Sequence, residues 1–144
     1  MEEAATLSGT SWEIRDVKVS VPQDVNADDM EWVCTKQWEV TKNLDAFGLS
    51  LTVEAYHKWS NTRIARAVVH GKYQFNRPVA METFLSEALK PRSFFERMIT
   101  DVLGFARGVI LQKCEEQQMP EICVPMFDFT PLLPAKRIPD WRLN

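Results

Sequence analysis

The sequence predicts an α+β domain in which an antiparallel sheet carries helices on one face. In its first half apolar and polar residues alternate, which is the period of a β-strand, whereas its second half repeats apolar residues at helical spacing. Strands that precede helices along the chain favour an antiparallel sheet over a parallel one. The 144 residues fit a single domain, residues 1–144, which needs neither disulfides nor a metal to close its core.

The first two strands are predicted at residues 12–21 and 31–41. In the first strand the apolar residues stand at even positions up to Ile14 and at odd positions from Val17 onwards. A strand keeps one face buried only if its period of two is maintained, so this change requires a β-bulge near Asp16. The second strand has a less regular pattern.

A long antiparallel hairpin is predicted next. Residues 49–59 alternate throughout, residues 60–62 have the composition of a turn, and residues 64–75 return as the partner strand. Gly71 interrupts this last strand, as a bulge or a close approach of another part of the chain would require.

Helices follow the hairpin. Residues 81–89 have helical spacing, and Ser93 with Glu96 has the form of a capping box that would start the main helix, which extends to about residue 118. Its predicted apolar face consists of Phe95, Met98, Ile99, Val102, Leu103, Ala106, Val109 and Ile110.

The C-terminal part is apolar but interrupted by prolines. Residues 122–133 can form neither a long helix nor a central strand, because proline lacks the backbone N–H that both require. We expect an extended arm packed on the rest of the domain. Residues 1–10 and 135–144 are expected to be loosely ordered.

Composition argues against several partners. The net charge of −3 and a pI of about 5.4 provide no basic surplus for phosphates, so we expect no nucleic-acid partner. No apolar run is long enough to insert into a membrane, and the first residues lack a signal-peptide pattern. Cys34, Cys114 and Cys123 have no paired spacing, which indicates reduced thiols and a cytoplasmic protein.

Catalytic and metal-binding patterns are weak. The sequence has no phosphate-binding loop, nucleophile elbow or zinc-protease motif. His57 and His70 lie on neighbouring predicted strands and could bind a metal with Glu54, but most metal sites need three or more suitable ligands. Cys114 lies near a helix C-terminus, which does not activate a thiol. We therefore expect no catalytic residue, no metal and no cofactor.

Gly104 and Gly108 lie one turn apart on the main predicted helix. Two small residues at this spacing let another backbone come close. That backbone would belong either to the sheet of the same chain or to a twin helix across a two-fold interface.

A series of short motifs follows in a fixed order from the main helix onwards. They are Phe105-Ala106-Arg107, then Pro120, then Val124-Pro125, then Phe127-Asp128. This order, together with the strand end Gly71–Phe75, resembles the SecB-like family of export chaperones. The order of elements matches over about residues 12–133, and the motifs support the resemblance over about residues 95–133.

The resemblance implies a four-stranded antiparallel sheet with helices packed on one face, assembled as a homodimer or homotetramer. It implies no catalysis and no cofactor. It also implies that unfolded or partly folded polypeptide clients are bound without ATP along apolar grooves between the sheet and its crossover connection. Members of the family serve secretion, and relatives protect unstable antitoxins. Members dedicated to secretion are strongly acidic, whereas this chain is mildly acidic and its tail carries Lys136, Arg137 and Trp141, which argues against coupling to the export motor.

Aromatic residues are the candidates for client binding, because each can bury about 150–250 Å² of surface. They are Trp38, Phe47, Trp59, Tyr73, Phe75, Phe127 and Phe129. Each is equally suited to an ordinary core, and this alternative stays open.

Two other functions remain compatible with the sequence. One is a small-molecule or enzymatic site between sheet and helix, with the polar groups of His57, His70, Glu54 and Arg66. The other is a structural subunit of a larger assembly.

Overall fold

The computed structural model describes residues 7–43, 45–77, 90–134 and 142–143, without the side chains of 90–93 and 142–143. Strands precede the helix, as predicted, and the domain is α+β. The elements in chain order are β1 (Leu7–Val19), β2 (Met30–Val40), β3 (Ala46–His57), β4 (Arg63–Phe75), α1 (Lys90–Glu116) and β5 (Arg142–Leu143). The helix predicted at residues 81–89 lies outside the described residues.

The sheet has the strand order β1-β4-β3-β2-β5. Its first four strands are all antiparallel to their neighbours, which confirms the predicted four-stranded antiparallel sheet. The two-residue strand β5 adds in parallel to the outer edge of β2, where Arg142 pairs with Glu39 and Leu143 with Val40.

The bulge predicted in the first strand is present. Ile14 pairs with Val69 whereas Asp16 pairs with Val68, so Arg15 is the extra residue on β1. The bulge keeps apolar side chains on the helix side of the sheet despite the change of parity. β1 begins at Leu7, so residues 7–10 form part of a strand, although the sequence analysis expects them to be loosely ordered.

Gly71 marks a close approach and not a bulge. It keeps its place in both ladders, opposite Trp12 on β1 and Leu49 on β3. A Cβ atom at Gly71 would lie 2.8 Å from Cζ3 of Trp12 and 2.8 Å from Cγ2 of Val102 on α1. The absence of a side chain therefore lets the helix and an aromatic ring meet above β4.

α1 buries the whole of its predicted apolar face, from Phe95 to Ile110. The predicted capping box is wrong, because the helix already includes residues 90–93. Pro91 explains the difference. Proline breaks a helix in its interior, but in the first turn it loses no hydrogen bond and its fixed φ is favourable.

The helix and the C-terminal arm share one face of the sheet. α1 contacts β4, β1 and β3. The arm, residues 119–134, starts where Met119 Sδ accepts the N–H of Val21 at 3.4 Å, passes the helix, and reaches β2, where the indole of Trp38 donates to the carbonyl of Leu132 at 2.8 Å. The predicted extended arm is thus present, with one 3₁₀ turn at Thr130–Leu132.

The opposite face of the sheet is polar and cross-linked by charges. Arg66 on β4 lies 2.5 Å from a carboxylate oxygen of Asp16 on β1 and 3.8 Å from one of Glu54 on β3. Tyr56 donates to the same oxygen of Glu54 at 2.8 Å. These contacts connect three strands on the side that no helix of the described residues covers.

Replacing Gly71 with alanine tests the close approach. We expect Gly71→Ala to lower the free energy of unfolding by about 1–3 kcal/mol, because Val102 is buried and cannot move away from the new methyl group. Chemical denaturation measures the change. Gly9→Ala is the control, since nothing lies within 4 Å of a Cβ built there; equal stabilities of the two variants would contradict the close packing.

Candidate functional site

An aromatic cluster fills one end of the core. Phe47 is fully buried at its centre and makes edge contacts with Phe75, Phe94 and Phe95, at centroid distances of 5.7, 5.9 and 6.1 Å. Trp38 joins the cluster through Phe95 at 5.1 Å. Edge-to-face packing of this kind stabilises the core beyond the area that it buries.

Three of the candidate groove residues belong to this closed core. Trp38, Phe47 and Tyr73 are each at most 4% exposed, so the expectation that they line an open groove is wrong for this conformation. Their polar atoms have partners inside the domain: the indole of Trp38 anchors the arm, and the hydroxyl of Tyr73 donates to Asp101 on α1. Burial, followed by that hydrogen bond, raises the pKa of Tyr73.

The other candidates lie in different places. Phe75 is half-buried at the edge of the aromatic cluster, and Phe127 and Phe129 are half-buried on the arm. Trp59 lies just beyond the end of β3, 76% exposed, with its indole 3.3 Å from a carboxylate oxygen of Asp29. It follows Phe47 by twelve residues of strand and turn, so the structure does not bring Trp59 together with the cluster.

Half-buried apolar residues of β2 and the arm border the core on its β2 side. All are packed against the buried core without being enclosed by it: Met30, Trp32, Cys34, Phe127, Phe129 and Leu133. We call this set the β2–arm surface.

Local sequence determines which side chains of β2 and of the arm face the core. β2 keeps an unbroken register with β3 over its whole length, so Met30, Trp32 and Cys34 share the face of Trp38. On the arm, prolines prevent helix formation, and alternate residues face inward, with Met126 and Asp128 exposed between half-buried neighbours. The ammonium group of Lys36 donates to the carbonyl of Leu133 and fixes the end of the arm to β2.

Burial determines the chemistry of this surface. It raises the pKa of the Cys34 thiol to about 11, so Cys34 is present as an uncharged, weakly polar group at neutral pH. Lys36, whose pKa burial lowers, is the one basic side chain on this face of β2. The surface can therefore offer apolar contact and little charge.

Four of the six residues of the β2–arm surface are not among the client-binding candidates predicted from the sequence. They are Met30, Trp32, Cys34 and Leu133. A signal existed in β2, where Trp32 and Cys34 precede Trp38 at even spacing and must share its face. No signal in the sequence shows that the helix leaves this part of the sheet to the arm.

Three of the four polar groups of the alternative small-molecule site lie on the wrong face for it. His70, Arg66 and Glu54 are on the side of the sheet that faces away from α1, because their neighbours Val69, Ala67 and Val53 fill the core. An open cavity of about 180 Å³ does exist there, between Glu39, Gly48, His70 and Lys72. It is not the predicted site between sheet and helix.

A hydrogen-bond chain runs from the exposed Arg15 to His70 at this cavity. The guanidinium group of Arg15 donates to Ser50 Oγ at 2.8 Å, and Ser50 Oγ lies 2.8 Å from Nδ1 of His70. Guanidinium can only donate, so the hydroxyl hydrogen of Ser50 is free to reach a neutral imidazole. Ser50 and His70 are both at most 8% exposed, and their contact links β3 to β4.

The two histidines do not approach each other. His70 pairs with Ser50, whereas His57 lies at the hairpin end of β3, where its Nδ1 accepts the N–H of Ser60 at 3.2 Å. Ser50, the residue opposite His70, is seven residues from His57 along β3, which corresponds to roughly 23 Å. No group of three potential metal ligands occurs in the described part of the chain.

Gly104 and Gly108 face open space. A Cβ atom at either position would meet nothing within 4 Å, so the interpretation that the sheet approaches these glycines is wrong. Trp12 and Ile14 on the neighbouring edge strand β1 are 40% and 49% exposed, and the ring of Trp12 lies 5.5 Å from that of Phe105 on α1. Edge strand and helix together thus present a second apolar surface.

One solved structure with a similar fold is the SecB-like chaperone Rv1957 of Mycobacterium tuberculosis in complex with a ChAD peptide from the HigA1 antitoxin Rv1956. The TM-score is 0.50 and the sequence identity 7%, over 87% of this chain and 91% of that one. At this identity the likeness shows the fold alone. No protein-family model and no curated protein matches the sequence. Within the described residues, no helix is long and apolar enough to cross a membrane.

Acid should destabilise the protein through His70. Burial, followed by repulsion from Arg15, lowers the pKa of His70, while Glu39 and Glu13 act in the opposite direction. Below the ordinary histidine pKa of about 6.5 the unfolded chain takes up a proton that the folded chain does not, so the free energy of unfolding falls as pH falls. Between pH 7.5 and pH 5.5 the free energy of unfolding, measured by denaturation, should decrease less for His70→Gln than for His57→Gln. Equal decreases in the two variants would contradict this role of His70.

Proposed function

We propose that this protein binds unfolded or partly folded polypeptides without ATP, as a chaperone or as an adaptor for a dedicated client. The β2–arm surface is the observation that carries the proposal. Its side chains are apolar and only half-buried, and an arm held by a few hydrogen bonds borders them. Such a surface captures diverse apolar segments, because burial of apolar area is not directional.

Client contact requires exposed or half-buried groups, which selects among the candidates. Phe127 and Phe129 on the arm, with Trp32 on β2, are the proposed contact residues, and Trp59 is a separate exposed contact at the hairpin end. Trp38, Phe47 and Tyr73 support the surface from within the core, with Phe75 at its border.

Similarity of fold gives independent support. A protein of known structure with a similar fold over most of both chains is a chaperone bound to a peptide of an antitoxin. The proposal carries over binding of polypeptide, and neither the client nor a role in export. The three cysteines are unpaired, which supports work in a reducing compartment such as the cytoplasm.

We further propose that the protein is a homodimer or a homotetramer. β1 is an edge strand with exposed apolar side chains, and such edges are usually paired or covered. The neighbouring helix face is free of side chains at Gly104 and Gly108, which would let a second copy approach closely.

Binding of a reduced, carboxymethylated model protein tests the function. We expect a Kd in the micromolar range or below, a negative heat-capacity change from apolar burial, and little loss of affinity at moderate salt. Phe129→Ala should weaken binding roughly fivefold or more, by the loss of about 1 kcal/mol.

Met126→Ala is the matched control for this experiment. Met126 lies on the same arm but is 88% exposed and faces away from the core, so its replacement should leave the affinity unchanged. Equal melting temperatures of both variants exclude a loss of fold. Absence of binding at tens of micromolar by the folded wild-type protein would refute general client binding.

Native mass tests the proposed assembly. Ile14→Lys and Gly108→Leu should both reduce the mass, the first by placing a charge in the interface and the second by overpacking it at a cost of about 1–3 kcal/mol. The space around Gly108 is open, so the folded monomer tolerates the leucine. Val33→Lys, at an equally exposed position on β2, is the control. An unchanged mass in both test variants would place the interface elsewhere.

A further inference from the structure

We propose that the outer edge of β2, from Trp32 to Lys36, binds an extended segment of the client as an added strand of the sheet. This inference rests on the proposed function and specifies how the client is held. Backbone hydrogen bonds would bind the client irrespective of its sequence, and its alternate side chains would enter the β2–arm surface.

The direction of the backbone groups of β2 follows from its hydrogen bonds at both ends. The N–H of Thr41 donates to the carbonyl of Ala46 at 3.1 Å, and the carbonyl of Asp29 accepts the N–H of Lys58 at 2.7 Å. Odd-numbered residues therefore direct their N–H and C=O towards β3. Because the register is unbroken, even-numbered residues direct theirs to the outer edge.

Three residues of this edge have backbone groups without a partner in the described part of the chain. The N–H of Met30 is occupied by the carbonyl of Ala27, and β5 pairs only with Glu39 and Val40. Between them, Trp32, Cys34 and Lys36 present three N–H and three C=O groups. A row of this kind is a template for another strand.

The edge carries few of the features that protect edge strands. β2 has no proline, its register with β3 has no bulge, and it is eleven residues long. By contrast, the other edge strand, β1, is bulged at Arg15. The chain itself demonstrates that the β2 edge accepts a strand, because Arg142 and Leu143 already add to it.

Side-chain position connects this edge with the β2–arm surface. Trp32 and Cys34, whose backbone groups face the edge, direct their side chains to the core side of the sheet, where the arm lies. Side chains on one face of an added strand would stand beside them, about 5 Å away. The two modes of contact thus act on the same client segment of about five residues.

Backbone methylation of a peptide tests the proposal. The probe is a nine-residue peptide that alternates phenylalanine or valine with serine, which fixes the side of the peptide that meets the apolar surface. Two derivatives carry N-methyl groups, one on the apolar residues and the other on the serines. In an added strand only every second residue directs its N–H at β2. One derivative should therefore lose roughly tenfold or more in affinity, and the other less than threefold.

A substitution in β2 tests the same contact from the protein side. Cys34→Pro removes one edge-facing N–H, and proline is tolerated at an edge position whose N–H does not pair within the sheet. It should weaken binding of the unmethylated peptide more than Cys34→Ala does, because both variants lose the thiol and only the alanine variant keeps the N–H. Hydrogen exchange at Trp32 and Lys36 should slow when the peptide is bound, in both the wild type and Cys34→Ala.

The outcomes separate this inference from the proposed function. If the unmethylated peptide binds but neither methylated derivative is impaired and exchange at Trp32 and Lys36 is unchanged, strand addition is refuted and client binding stands. If neither the unmethylated peptide nor the unfolded model protein binds, both proposals fail. If only one of the two methylated derivatives loses affinity and exchange at Trp32 and Lys36 slows, strand addition is supported even if Cys34→Pro does not fold.

Discussion

The single helix of the described residues, α1, cannot cover a sheet of four strands, and the rest of the described structure depends on this mismatch. Strands lie about 4.8 Å apart, so four of them span roughly 14 Å between the outer axes, whereas a helix with its side chains is about 10 Å across. α1 covers β1, β4 and β3. The side of the core next to β2 is left to the proline-rich arm, which cannot pair its backbone as a strand would.

Incomplete coverage explains where the candidate surfaces lie. Under the helix, Phe47 and Tyr73 are enclosed and serve stability. Beyond it, Trp32 and Phe129 remain half-buried, and the β2 edge keeps unpaired backbone groups within the described chain. The opposite face needs no cover, because Arg66 and its carboxylate partners make it polar. The same mismatch leaves Ile14 at the β1 edge exposed, where we propose that a second copy binds.

Local patterns predicted local features, and tertiary contacts decided the rest. The bulge at Arg15 follows from a parity change, and the buried face of α1 follows from helical spacing, since each depends on the residues of one element. Burial of Trp38 depends on Phe95 and Leu132, which are distant in sequence, so the alternation of β2 alone could not distinguish core from groove. Strand β5 has two residues, too few to carry a period. The start of α1 was predicted too late because proline is common both after a helix and in the first turn of one, so Pro91 alone does not decide between them.

The central claim is that the side of the core next to β2 is a surface for polypeptide and not merely an imperfectly covered core. Chemical-shift mapping by NMR, with an isotope-labelled protein and an unlabelled unfolded client, tests it most directly. The account predicts shifts concentrated at Trp32, Cys34 and residues 122–133 of the arm, with little change at Thr52 and Val68 on the opposite face. Shifts confined to the opposite face, or none at saturating client, would contradict it.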